Sequence, residues 1–84
     1  MTGYEGVIKE YVKKKLAETM KKDVICTLVF GELRIVVPLD ENGNTFEMSY
    51  DNITRYGLPS LCANFIAKDF INTYRGFILS DYLK

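Results

Sequence analysis

Histidine is absent from the chain. Without it there is no Ser–His or Cys–His nucleophile pair and no histidine-ligated zinc. Cysteine is scarce: Cys26 and Cys62 lie 36 positions apart, with no C-x-x-C pair. Two apolar-flanked thiols make a poor zinc site and read as core packing rather than redox chemistry. A glycine-rich phosphate loop is also missing. The expectation is therefore no catalytic residue, no cofactor, no metal and no small-molecule substrate. Excess charge of either sign is lacking too, since 11 basic residues balance 11 acidic ones. This argues against bulk DNA binding and against a strongly acidic DNA mimic. No apolar run approaches membrane-spanning length, and residues 4–20 are interrupted by charges throughout, unlike a secretory signal. These features point to a cytoplasmic protein with reduced thiols and no membrane partner.

What is present describes a fold. A chain of 84 residues, 48% apolar and 13% aromatic, suits one small globular domain, 1–84. Tyr4, Val7, Ile8, Tyr11, Val12, Leu16 and Met20 recur at three- and four-residue spacing. They predict an amphipathic helix over 4–22, capped by Thr2 or Gly3. The period then changes to that of strands over 24–30, 33–37 and 45–50. Gly31-Glu32 suits a two-residue type II′ turn, which pairs Phe30 with Leu33, Leu28 with Ile35 and Cys26 with Val37. Through the next loop, Val37 meets Phe46, Ile35 meets Met48 and Leu33 meets Tyr50. Both hairpins then present one apolar face. Pro38 should end the second ladder near Val37 and Phe46, because its missing N–H is expected to face the third strand.

Asp51 can cap a short helical turn over 52–56, ended by Gly57. Ser60 then caps a long helix with a buried stripe of Cys62, Ala63, Ile66, Ala67, Phe70, Ile71, Tyr74, Phe77 and Ile78. An unbroken helix over 60–84 would span roughly 37 Å, longer than the ~30 Å diameter expected of such a domain. Either it breaks near Gly76 or its end projects. The predicted fold is α+β: a three-stranded antiparallel β-meander with N- and C-terminal helices packed on one face, in the order α-β-β-β-(α)-α.

Four features could carry function. The loop within "PLDENGNTFEM" (38–48) offers Asp40, Asn42, Asn44 and Asp51 at calcium-loop positions 1, 3, 5 and 12. Its glycine stands at position 4 instead of 6 and its flanks alternate like strands, so it reads as a hairpin turn. Asp40 and Glu41 before Asn42-Gly43 are not required by a turn and are candidates for steering a basic partner. The lysine-rich helix offers Lys13, Lys14 and Lys21 for nucleic-acid contact. However, Glu5–Lys9, Glu10–Lys14 and Glu18–Lys22 follow the helix-stabilising i, i+4 order, so a solvated face is favoured. All strand aromatics are expected on the inner face, leaving no base-stacking platform. Lastly, Leu61, Phe65, Leu79 and Leu83 form a second apolar stripe on the last helix, either a candidate interface or a stripe covered by the first helix or the 51–58 segment.

The layout of helix, meander and helix is similar to that of several small phage-encoded proteins, including some anti-CRISPR inhibitors. That resemblance implies binding to a larger protein to block its surface. The functional expectation is thus a non-catalytic protein-binding module, either an inhibitor or adaptor or a self-associating subunit. It would use Leu61, Phe65, Leu79, Leu83, Asp40 and Glu41. Nucleic-acid binding through Lys13, Lys14 and Lys21 ranks second.

Overall fold

A computed structural model describes residues 3–82. The order is α1 (Gly3–Met20), β1 (Ile25–Val29), β2 (Glu32–Pro38), β3 (Thr45–Tyr50) and α2 (Pro59–Phe77). The fold is α+β, with an antiparallel sheet in the order β1-β2-β3. Among the described residues no helix is long and apolar enough to cross a membrane.

The core lies between the sheet and the two helices. Ile8, Val12 and Leu16 enter it from α1, Leu33, Ile35 and Val37 from β2, and Cys62, Ala63, Ile66, Ala67 and Phe70 from α2. Central strand β2 alternates buried and exposed positions, as a sheet with one covered face requires. The β2–β3 register is the expected one: Leu33↔Tyr50, Ile35↔Met48 and Val37↔Phe46. The other face carries Ile25, Thr27, Val29, Arg34, Glu47 and Ser49 to solvent. There Arg34 pairs with Glu47 at 3.1 Å and with Glu32 at 3.3 Å.

Five local expectations are corrected. In the first hairpin Leu28 pairs with Leu33 and Cys26 with Ile35, a two-residue shift. Its loop residues are Phe30 and Gly31, with φ of 52° and 79°, so the turn is of the type I′ class rather than II′. Phe30 therefore leaves the inner face and stands fully in solvent. The second ladder passes through Pro38↔Thr45 and closes with a Leu39 N–H to Asn44 O bond of 2.8 Å. That bond turns the backbones of Leu39 and Val37 toward β3, so Pro38 faces the β1 side. There its carbonyl accepts from Lys22 Nζ at 3.1 Å, and its missing N–H interrupts nothing. Residues 52–56 form linked turns, Arg55 N–H to Asn52 O and Gly57 N–H to Thr54 O, instead of a helix.

The last two corrections concern α2 and α1. α2 starts at Pro59 behind Leu58, with Ser60 inside the first turn and no side-chain cap. α2 passes Gly76 and runs on into a π-helical turn over Ile78–Tyr82. Glycine costs a helix about 1 kcal/mol relative to alanine. Phe77, just beyond it, offsets that by packing 5.1 Å from the Phe46 ring. The helix end projects, and the domain measures 41 × 21 × 20 Å. On α1, Tyr4, Val7 and Tyr11 are exposed rather than buried. A three-stranded sheet shared with α2 leaves α1 only a narrow strip to cover. The alternative cap Thr2 lies outside the described residues.

Candidate protein-binding surface

The second apolar stripe of α2 is divided. At the helix start, Leu58, Leu61 and Phe65 are 61%, 53% and 46% exposed. Leu61 lies over Gly57, whose absent Cβ would sit 3.8 Å from Leu61 Cδ1. Phe65 stacks on Tyr56 with ring centroids 4.0 Å apart and planes inclined by 25°. The Arg55 guanidinium lies 5.0 Å from the same Tyr56 ring. The linked turns after β3 thus bring Arg55 and Tyr56 against α2, where Tyr56 covers one face of the Phe65 ring. Lys68 and Asn72 then interrupt the stripe. Leu79 is exposed on the far side, roughly 21 Å along the axis from Phe65 at ~1.5 Å per residue. Leu83 lies outside the described residues.

The acidic hairpin tip is used internally. Asp40 Oδ1 accepts from Asn42 N–H at 2.8 Å and from Asn44 N–H at 3.3 Å, and Oδ2 accepts from Asn44 Nδ2 at 2.8 Å. Asp40 organises the four-residue loop inside the Leu39–Asn44 bond, and Gly43 supplies the positive φ of 91°. Glu41 is exposed beside it. Among the described residues no group of His, Cys, Asp or Glu is placed to hold a metal ion.

The lysines do not converge on one face. Lys13 and Lys14 are separated by about 100° around α1, and Lys21 lies past its end with φ of 55°. None of the three expected i, i+4 pairs closes; Lys9 instead contacts Glu10 at 3.7 Å. Lys22 is drawn to Pro38. These side chains are solvated, and holding two long chains together in water gains little over their lost freedom. An open groove of about 360 Å³ between α1 and α2 is lined by Lys15, Glu18, Asn64, Lys68, Asn72 and Arg75.

Tyr50 and Cys26 are both perturbed by their surroundings. Tyr50 donates to Asp69 Oδ2 at 2.6 Å, tying β3 to α2. Burial and the adjacent carboxylate push the Tyr50 phenol well above its ordinary value. Cys26 is half-buried beneath α1, and burial pushes its thiol up to about 11 against the opposing pull of Lys13 and Lys9. A thiol so poorly ionised is a weak nucleophile. Cys62 is fully buried, with Sγ 3.5 Å from the Gly57 carbonyl.

No protein-family model matches the chain, and comparison with curated proteins and with solved structures gives no match either. The sequence reading found Leu61 and Phe65 by their helical spacing. It missed Leu58 and Tyr56, because the contact between residues 56 and 65 depends on how the chain turns after β3. Leu58 did carry a signal, as an apolar residue directly before the proline that opens the helix.

Proposed function

We propose that the chain is a non-catalytic protein-binding module, an inhibitor or adaptor that docks on a larger protein through the start of α2. One observation carries the reading: Phe65, half exposed, is held by stacking on Tyr56. Binding hot spots are typically aromatic or arginine anchors, and one already fixed in place loses little entropy on docking. Leu58 and Leu61 supply apolar area beside it, and Arg55 lies at its border. Glu41 at the opposite end of the sheet is available to steer a basic partner.

The test is affinity capture from the native host with the wild-type chain and with Phe65→Asp, both shown folded by circular dichroism. The expected result is a stoichiometric partner retained by the wild type and lost with Phe65→Asp. Equal recovery by the two baits would refute the assignment of this face.

A further inference from the structure

The sheet has a free hydrogen-bonding edge at β1. Because Val37 and Leu39 turn their backbones toward β3, Arg34 and Val36 turn theirs toward β1. Their partners Thr27 and Ile25, and Val29 opposite Glu32, therefore face β2. Cys26 and Leu28 alternate with them and turn their N–H and C=O groups outward. Among the described residues no hydrogen bond reaches those four groups. Edge strands are ordinarily blunted by lysine, proline or an inward-pointing charge. Strand β1, Ile-Cys-Thr-Leu-Val, has none of these and no charged residue at all, whereas the opposite edge, β3, carries Glu47 on its outer face. Ile25 and Val29 on its outer face are 59% and 49% exposed. The inner-face residues Cys26 and Leu28 are only half-buried, while Leu33 and Ile35 on β2 are fully buried. The edge is bare on its outer face and only partly covered on its inner face, where Lys9 and Lys13 of α1 lie near Cys26.

We propose that β1 pairs antiparallel with β1 of a second copy about a two-fold axis at Thr27, joining two three-stranded sheets into one continuous sheet. The strand is self-complementary in this register. Cys26 stands opposite Leu28 of the second copy and the reverse, so all four outward groups are satisfied by N–H···O bonds. On the outer face Ile25 meets Val29 of the second copy at two symmetric places, an apolar β-branched pair of the kind that stabilises sheets. Phe30, fully exposed at the end of β1, comes to the start of the second copy's β1, beside Asp23 and Val24. A strand pairing of this length buries modest area, so the association is a reversible, concentration-dependent equilibrium.

Light scattering coupled to size-exclusion chromatography across a concentration series tests this, with Ile25→Lys/Val29→Lys and Ile25→Glu/Val29→Glu as variants. Both positions are exposed in the monomer, so folding is retained and is checked by circular dichroism. Each variant alone is expected to be monomeric at concentrations where the wild type is dimeric. Mixing the two should recover a heterodimer, because this register sets position 25 against position 29. Thr27→Cys in a Cys26→Ser background should cross-link to a dimer, because residue 27 faces itself across the axis at ~4.5 Å between Cα atoms, within disulfide reach. Ser49→Cys on the other edge should not. Phe65→Asp should dimerise like the wild type, so this result stands apart from the docking role of α2. A wild type that stays monomeric at its highest soluble concentration overturns the proposal. So does a dimer that survives both charged variants.

Discussion

Replacing Phe30 by asparagine should make the monomer more stable, although it removes an aromatic ring. Phe30 occupies the first loop position of a type I′ turn at φ 52°, with Gly31 following at 79°. For a residue with a bulky side chain the left-handed region costs roughly 1–2 kcal/mol, and Asn-Gly is the dipeptide this turn prefers. The ring offers no compensating contact, being fully exposed. Phe30→Asn should therefore gain about 1 kcal/mol, raising the melting temperature by roughly 4–8 °C in a domain of this size. Phe30→Gly relieves the same strain but widens the unfolded ensemble, so it should gain less. Gly31→Ala should lose stability, since φ is positive there and a Cβ would come within 3.3 Å of Glu5 Oε2. Thermal unfolding by circular dichroism, in solution dilute enough to be monomeric, reads all three. A melting point lowered by Phe30→Asn would show that the ring packs against the fold and would refute the reasoning. A strained, solvated phenylalanine that costs stability is itself a sign of use. If it caps the paired β1 strands, Phe30→Asn should weaken self-association while strengthening the monomer.

Tyr50→Phe removes the 2.6 Å bond to Asp69 and should cost about 1–2 kcal/mol, read as a shift in urea midpoint with unchanged slope. It should also change the alkaline limb. The Tyr50 phenol is raised in the folded state, so its contribution is complete below the ordinary phenol value near 10 and is lost as pH rises beyond it. Wild-type stability should fall more steeply than that of Tyr50→Phe above that pH, and parallel curves would contradict the assignment. Phe70→Ala should cost about 3–5 kcal/mol, a large share of the stability of a small domain. Phe70 is fully buried and meets Phe46 edge-on at 5.5 Å, so a cooperative transition near the wild-type temperature would argue against that packing.

Where the sequence reading held and where it slipped follows from what each signal constrains. Strand parity was secure because side chains alternate with a period of two. The first hairpin slipped by two residues, which leaves every side chain on its expected face. Only Phe30 changed role, from strand to turn. The slip arose from assigning Gly31 to the first loop position, the usual place for glycine in a II′ turn. The structure places it second and accepts a strained phenylalanine before it. Proline's position was read correctly and its orientation was not, because which neighbour a strand residue faces depends on the loop closure at Leu39 and Asn44. On helix α1 the spacing puts seven apolar residues on one broad stripe, of which Tyr4, Val7 and Tyr11 are exposed. Periodicity identifies an apolar stripe but not the width of the surface available to cover it. The continuity of α2 past Gly76 turned on the Phe46–Phe77 contact, between residues 31 positions apart. Pairing of that range leaves no local trace.

The two surfaces lie on opposite flanks of the sheet, and that separation bears on how they would work together. Helix α1 sits over β1, where Lys9 and Lys13 act on Cys26. Helix α2 is tied to β3 by Tyr50–Asp69 and by Phe46 against Phe70 and Tyr74. With β2 between them, joining two copies along β1 leaves the start of α2 open on both outer ends. A dimer built this way would present two identical Phe65 faces turned away from the shared axis. A partner that is itself dimeric, or repeated along a larger assembly, would engage both faces, and the second contact would be intramolecular. Disrupting the β1 edge should then weaken binding to such a partner without touching its contact residues, while leaving binding to an isolated monovalent partner unchanged. Comparing Ile25→Lys/Val29→Lys with the wild type on immobilised and on free partner separates the two cases. Only the immobilised, multivalent arrangement should register the loss.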